Sequence, residues 1–270
     1  MLSQPPAQFA ASPAVTAAVQ AAGGAPVTLD DAKAHAEAQF WKAVAGGWEV
    51  SVQDDVPSQV VWRISDTGAY LIGETGPAEE SGGPGYEAGT MSWDPTTGQL
   101  SATATADTSG DYGLSDLGVT DTLMLVGGQL VITEDEDSFA TTFSKITTAP
   151  STTSVVGLWV LQREGNPLLT QTFRFSADGR FMLIDPIGDD ETGPGDPSCG
   201  DPGLEAGTYT FTNGTLSVTS VSFDSNGCAG LNDSVGEGAH TLSLVFAADG
   251  LSATAVEGDS ENGFVLARAR

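Results

Sequence analysis

The chain has 270 residues and a formal net charge of −27, with 36 acidic residues against nine basic ones. So few cations cannot coat phosphates, which argues against nucleic-acid binding, and an anionic membrane surface would repel the protein. No run of about 20 apolar residues is present to span a membrane, while 40% hydrophobic residues suffice for packed cores.

Residues 1–27 are rich in Ala, Pro, Gln and Ser, with neither a basic nor an apolar leader region, and read as a flexible tether. A single short helix is expected over 28–45. Thr28 is placed to cap it, Asp30 and Asp31 stand in its first turn, and Leu29, Ala32, Ala36, Phe40 and Ala43 form an apolar stripe. Gly46 and Gly47 end it. His35 on this helix is read as a surface or packing residue.

From residue 46 the period changes to two. Runs such as QVVWRIS, QLSATATAD and QLVITE are punctuated by Gly, Asp and Asn. The series then repeats as QTFRFS, GTYTFTN and GFVLARAR. Gly46-Gly47-Trp48 matches Gly157-Leu158-Trp159, PGYEAGT from Pro84 matches PGLEAGT from Pro202, and Asp107 matches Asp224. The chain is a tandem duplication: one copy at 46–146, a linker at 147–156, and a second copy at 157–270. In the second copy eight strands, A to H, are expected to begin near Gly157, Gln171, Arg180, Leu204, Thr215, His240, Leu251 and Gly263. Eight sequential antiparallel strands lose their edges by closing. The expected fold class is therefore all-β: one short helix, then two tandem eight-stranded up-and-down antiparallel β-barrels.

The motifs GLW, ADGRF, DPGLEAGTY and DSNGCAGL resemble those of bacterial secreted or lipoprotein calycin-like (lipocalin-like) domains. The first copy departs in having Met91 in place of the Tyr and Lys145 in place of a late Arg. The resemblance implies that Trp48 and Trp159 pack at the closed ends under Lys145 and Arg268, a cation–aromatic contact. It also implies a bacterial, extracytoplasmic protein, but it names no activity.

An up-and-down barrel brings its C–D and E–F loops to one rim. Cys199 lies in the first of these loops and Cys228 in the second, so a Cys199–Cys228 disulfide is expected. It would close a loop of about 30 residues, worth roughly 3 to 4 kcal/mol on the chain-entropy model, and would imply an oxidising compartment such as the periplasm, the cell surface or the medium.

The same rim holds a repeated acidic phrase, DTSGDYGLSD at 107–116 and DSNGCAGLND at 224–233. Glu87, Asp107 and Asp111 in the first copy, with Asp201, Glu205 and Asp224 in the second, have the hard oxygen donors that suit calcium. Gly at the fourth position is not the spacing of an EF-hand, and the same phrase reads equally as a turn whose Asp caps backbone N–H groups. Asp185, Asp189, Asp190, Glu191, Asp196 and Asp201 crowd one loop and read as a solvated acidic lid.

No nucleophile elbow, zinc motif or phosphate loop is present, and His35 and His240 are the only histidines. The expectation is a non-enzymatic surface or secreted module making adhesin-like or matrix contacts, with calcium as the one cofactor to consider. The alternative is a lipocalin-type carrier of a small apolar ligand. Trp62, Tyr70, Phe173, Phe175, Phe181, Phe211, Phe223 and Phe246 are expected to point inward, and such rings favour filled barrels over hollow ones.

Overall fold

The computed structural model describes residues 28–50, 59–78, 82–116, 121–134, 139–147, 149–162, 170–188, 200–227, 230–231, 241–257 and 263–269. Cys199, Cys228, His240 and the tether at 1–27 lie outside the described residues.

Helix α1 (Leu29–Val44) opens with a capping box. Asp31 N donates to Thr28 Oγ1, and Thr28 N donates back to Asp31 Oδ2, each at 3.1 Å. Its buried face is Ala32, Ala36, Trp41 and Val44. The expected stripe is thus rotated: Leu29 is 70% exposed and Ala43 is also exposed. Trp41 sets the rotation, because its large ring packs against the turn at Gly68. Phe40 stacks on Trp93 at 3.9 Å, and Glu37 accepts hydrogen bonds from Trp93 N and Trp41 Nε1. The helix therefore closes one end of the first unit.

That unit contains β1 (Gly46–Val50), β2 (Val60–Ile64), β3 (Ala69–Glu74), β4 (Gly85–Trp93), β5 (Leu100–Asp107), β6 (Thr122–Val126), β7 (Gln129–Glu134) and β8 (Phe139–Lys145). The second contains β9 (Gly157–Leu161), β10 (Thr172–Phe175), β11 (Arg180–Asp185), β12 (Gly203–Thr212), β13 (Thr215–Asp224), β14 (Thr241–Phe246), β15 (Ser252–Glu257) and β16 (Gly263–Arg268). Every paired neighbour is antiparallel, and the strand order of each unit is up-and-down.

The two units differ at one seam. The second closes into a barrel, with Thr215, Leu216 and Ser217 of β13 paired to β14. The first is an eight-stranded curled sheet and not the second closed barrel that the sequence led us to expect. Its ends are joined by the Gln99–Thr122 bridge and by Leu100 N–Asp121 O and Leu123 N–Gly98 O hydrogen bonds of 2.9 Å. The hydrogen bond from Leu244 N to Gly214 O is the matching contact in the second unit. By that match Asp121 occupies the place of Leu242, so a polar residue stands where the closed barrel has an apolar ladder residue.

Both interiors hold packed apolar clusters. Trp159, Phe173, Phe175, Phe181, Leu244 and Leu266 lie in the core of the second barrel, and Trp48, Trp62, Tyr70, Leu123 and Phe143 in that of the first unit. Phe223 departs from expectation and lies outside the barrel. A register shift between Ala206 and Gly207 leaves Ser222 without a partner in the ladder, which reverses the facing of Phe223.

A third apolar cluster joins the units. Val61, Leu71, Tyr86 and Ala88 of the first meet Leu158, Met182, Ile184, Leu204 and Ala206 of the second. Most of these are equivalent positions in the two copies, so the chain folds as a covalent dimer with one face used twice. Small residues of the first copy make room for large ones of the second. A Cβ on Gly73 would lie 2.6 Å from Ile184 Cδ1, and one on Gly47 would overlap Leu158 Cδ2. The equivalent arginines also cross the interface. Arg174 binds Glu49 through Nε at 2.8 Å and Nη2 at 3.0 Å, and Arg63 donates to Thr172 Oγ1 at 3.0 Å. Burial lowers the Arg63 pKa to about 10, which leaves it charged at neutral pH.

The Gly73→Val variant should therefore be destabilised by about 1 to 3 kcal/mol, with part of the loss recovered when Ile184→Ala is added. Thermal unfolding of the two single variants and the double variant measures that coupling.

Candidate functional site: a buried glutamate beneath each rim loop

At the rim of each unit a Glu on one strand faces an Asp on the next. Glu87 of β4 pairs across to Asp107 of β5, and Glu205 of β12 to Asp224 of β13. Both glutamates are 0% exposed. A buried carboxylate is costly unless hydrogen-bond donors surround it, and the repeated phrase supplies them. Glu87 accepts from Leu114 N at 3.1 Å, Ser115 N at 3.1 Å, Ser115 Oγ at 2.6 Å and the Tyr70 hydroxyl. Leu231 N donates to Glu205 at 2.5 Å.

Four of the repeated letters, the opening Asp, the two glycines and the Leu, then have a local cause. Asp107 accepts from Ser109 N at 2.8 Å, and Asp224 from Asn226 N at 3.1 Å, so each Asp holds the turn that leaves its strand. Gly110 and Gly227 have φ values of 64° and 63°, the left-handed region that glycine tolerates. Gly113 and Gly230 press on the carboxylates: a Cβ on either would overlap Glu87 Oε2 or Glu205 Oε2. Leu114 and Leu231 follow and enter the cores. The phrase is a latch in which a loop folds over the end of each unit and its amides bind a buried carboxylate.

The two latches are not identical. Tyr70 donates to Glu87, whereas Phe181 stands at the equivalent place in the second copy. Burial, followed by the hydrogen bond to Glu87, raises the Tyr70 pKa. In the second copy Asn226 is fully buried, and both atoms of its amide lack a hydrogen-bond partner among the described residues.

Of the expected metal ligands, the structure brings Glu87 and Asp107 together with Asp116, with one oxygen of each within 4.8 Å of the others. Asp116 ends the repeated phrase but was not among the expected ligands; recurrence of its Asp in both copies was the available signal. Burial and the nearby charges of Asp111, Glu87 and Asp107 raise its pKa. Asp111 and Asp201 are exposed and join no such group among the described residues. Glu205 and Asp224 stay cross-strand partners, and burial raises the Asp224 pKa. Tyr70, Leu114 N and Ser115 N donate to Glu87 Oε1, and Ser115 Oγ to Oε2, so a cation here would compete with these donors for Glu87 and rely more on Asp107 and Asp116.

Asp185 corrects the reading of its loop as a wholly solvated lid. It is buried, accepting from Ile187 N at 3.1 Å, Gly188 N at 3.0 Å and Gln171 Nε2 at 2.6 Å. Asp189, Asp190, Glu191 and Asp196 lie outside the described residues. At the opposite ends, Lys145 Nζ stands 5.4 Å from the Trp48 ring and the Arg268 guanidinium 4.2 Å from that of Trp159. Arg268 also donates to the carbonyls of Gly250, Val156 and Ser154 at 2.8 to 2.9 Å. This draws the segment before β9 beneath the barrel, where Val155 O accepts from Trp159 Nε1 as Val44 O accepts from Trp48 Nε1.

No family model matches the chain, and no curated protein matches it. Among solved structures, a DNA polymerase sliding clamp from Pseudomonas aeruginosa is 9% identical, with a TM-score of 0.13 over 87% of this chain and 59% of that one. A DNA polymerase III beta subunit from Thermotoga maritima is 11% identical, with a TM-score of 0.13 over 83% and 56%. The chain thus spans less than two thirds of these structures, and TM-scores this low bear on neither its fold nor its function.

Tyr70→Phe should cost about 1.5 to 3 kcal/mol, the range for a hydrogen bond to a charged group, and Gly113→Ala should cost at least as much; chemical denaturation measures both. A separate prediction concerns Glu74, whose pKa burial raises to about 7. A carboxyl with a raised folded-state pKa favours folding while protonated, so its contribution is lost as pH rises from about 4.5 to about 7. Glu74→Gln should therefore raise the melting temperature more at pH 8 than at pH 5.

Proposed function

We propose that the chain is a non-enzymatic extracytoplasmic binding module, a tandem pair of calycin-like domains that meets its partners through outer surfaces. The observation that carries this reading is the filling of both cores. Trp159, Phe173, Phe175 and Phe181 occupy the space in which a carrier would hold its cargo. We read the first unit as the same barrel, drawn together at its seam by Gln99, Leu100, Asp121 and Leu123. The G-x-W openings, with a late Lys or Arg over each Trp, support the calycin-like assignment.

Catalysis is disfavoured at the rim, because the Glu87 oxygens are already engaged as hydrogen-bond acceptors by Leu114, Ser115 and Tyr70. The extracytoplasmic setting rests on the expected pairing of Cys199 with Cys228. Calcium would act here only as a minor aid to stability through Asp107 and Asp116, not as a catalytic ion.

Titration with an apolar fluorescent probe, 8-anilinonaphthalene-1-sulfonate, separates the two readings. The module should show no saturable uptake at micromolar probe, whereas stoichiometric uptake displaced by a fatty acid would establish a carrier. Millimolar calcium should shift the melting temperature by no more than about 2 °C relative to EDTA. A larger reversible rise would show that a cation completes the rim.

A further inference from the structure

The faces that join the two units part at one margin and leave a cleft. Two cavities of about 450 Å³ and 410 Å³ open there, each large enough for a small ligand. Gln59 and Arg180 line both, so the two are adjoining lobes. Glu49, Arg174, Ser176 and Asp178 line the first lobe, and Thr75, Thr208, Ser222 and Phe223 the second.

The charges in the cleft are balanced. Arg174 is held by Glu49, and Arg180 Nε donates to Asp178 at 2.7 Å. Two groups keep unused hydrogen-bonding capacity. Neither Nη of Arg180 has a partner among the described residues. The Gln59 Oε1 is shielded from solvent and has no hydrogen-bond partner among the described residues. Rotation about the last side-chain bond, which is soft for an amide, turns that oxygen toward an incoming hydroxyl. Phe223 adds an apolar surface on which a ring face can rest.

This combination selects among ligand classes. An apolar molecule would leave Arg180 and Gln59 unpaired. An anionic polymer would have to approach a protein of charge −27. An extended peptide binds by adding to a free strand edge; β2, β3 and β12 around the cleft have a neighbour on each side, and only β13, which pairs with β14 no further than Ser217 among the described residues, offers a short stretch of edge. A neutral sugar chain fits: its hydroxyls donate and accept, its ring faces are apolar, and it spans two lobes.

We propose that the inter-barrel cleft binds a segment of neutral oligosaccharide, with Gln59 and Arg180 hydrogen-bonding its hydroxyls and Phe223 supporting a sugar ring. This rests on reading the protein as a binding module and names the ligand class for it.

The test is calorimetric titration of the full chain with cellohexaose, maltohexaose, laminarihexaose and chitohexaose, with hexagalacturonate as the acidic comparison. At least one neutral hexamer should bind with a sub-millimolar dissociation constant. Gln59→Leu and Arg180→Met should each weaken it at least about tenfold, the scale of one lost hydrogen bond to a charged or buried group. Lys33→Gln, at the far end of the first unit, should leave binding unchanged. If either cleft variant fails to fold, the Arg180 Nε–Hε resonance of the unaltered protein should still shift on titration. Failure of all four neutral hexamers at 1 mM, preference for hexagalacturonate, or binding indifferent to both variants with no Arg180 shift would overturn the proposal. Mass analysis of the recovered sugar separates the two claims. An intact hexamer supports both, and a shortened one upholds the site but ends the non-enzymatic reading. Absence of binding removes the sugar site and leaves the module reading standing.

Discussion

A carboxylate buried at the end of each β-unit governs much of this structure. Glu87 and Glu205 are wholly withdrawn from water, and their burial is tolerable only because a loop brings amide donors to them. That requirement fixes the loop in turn. It calls for an Asp to start the turn, a glycine at positive φ, a second glycine against the carboxylate, and a leucine to anchor the end in the core. The phrase occurs twice because the constraint occurs twice. The turn accounts for the opening Asp of the phrase, Asp107 and Asp224.

Duplication also gives the molecule its shape. Equivalent faces of the two units pack together, and the copies differ at two positions where a symmetric contact would clash. Leu158 fills the space over Gly47, and Ile184 the space over Gly73. The remaining equivalences, Leu71 with Met182 and Tyr86 with Leu204, keep the contact apolar. The crossed arginines, Arg63 and Arg174, add polar contacts that fix the orientation. The closed seam of one unit and the narrow bridge of the other mark a second divergence, centred on Asp121 and Leu242.

The sequence made the repeat and the strand succession readable because period-two patterns and turn residues are local signals. In the second copy the strands begin at or within one residue of the expected places, from Gly157 to Gly263. What it concealed is long-range. The bulge at Ser222 changes the facing of Phe223 and leaves no mark in the alternation of that strand. The face between the two units looks like ordinary outward-facing strand until the partner copy covers it. The burial of Asp185 and the arrival of Asp116 beside Glu87 both depend on loop paths that residue types alone do not define. The helix stripe was misplaced because Trp41 outweighs its smaller neighbours in choosing the buried side.

The latch makes a direct claim about particular backbone amides, and hydrogen exchange followed by nuclear magnetic resonance tests it. In the unaltered protein the amides of Leu114, Ser115 and Leu231 should be protected to nearly the level of the central strands, although they lie in loops. In Glu87→Gln the first two should lose much of that protection while Leu231 keeps its own. Fast exchange of all three in the unaltered protein, or protection of Leu114 and Ser115 unchanged by the substitution, would contradict the account.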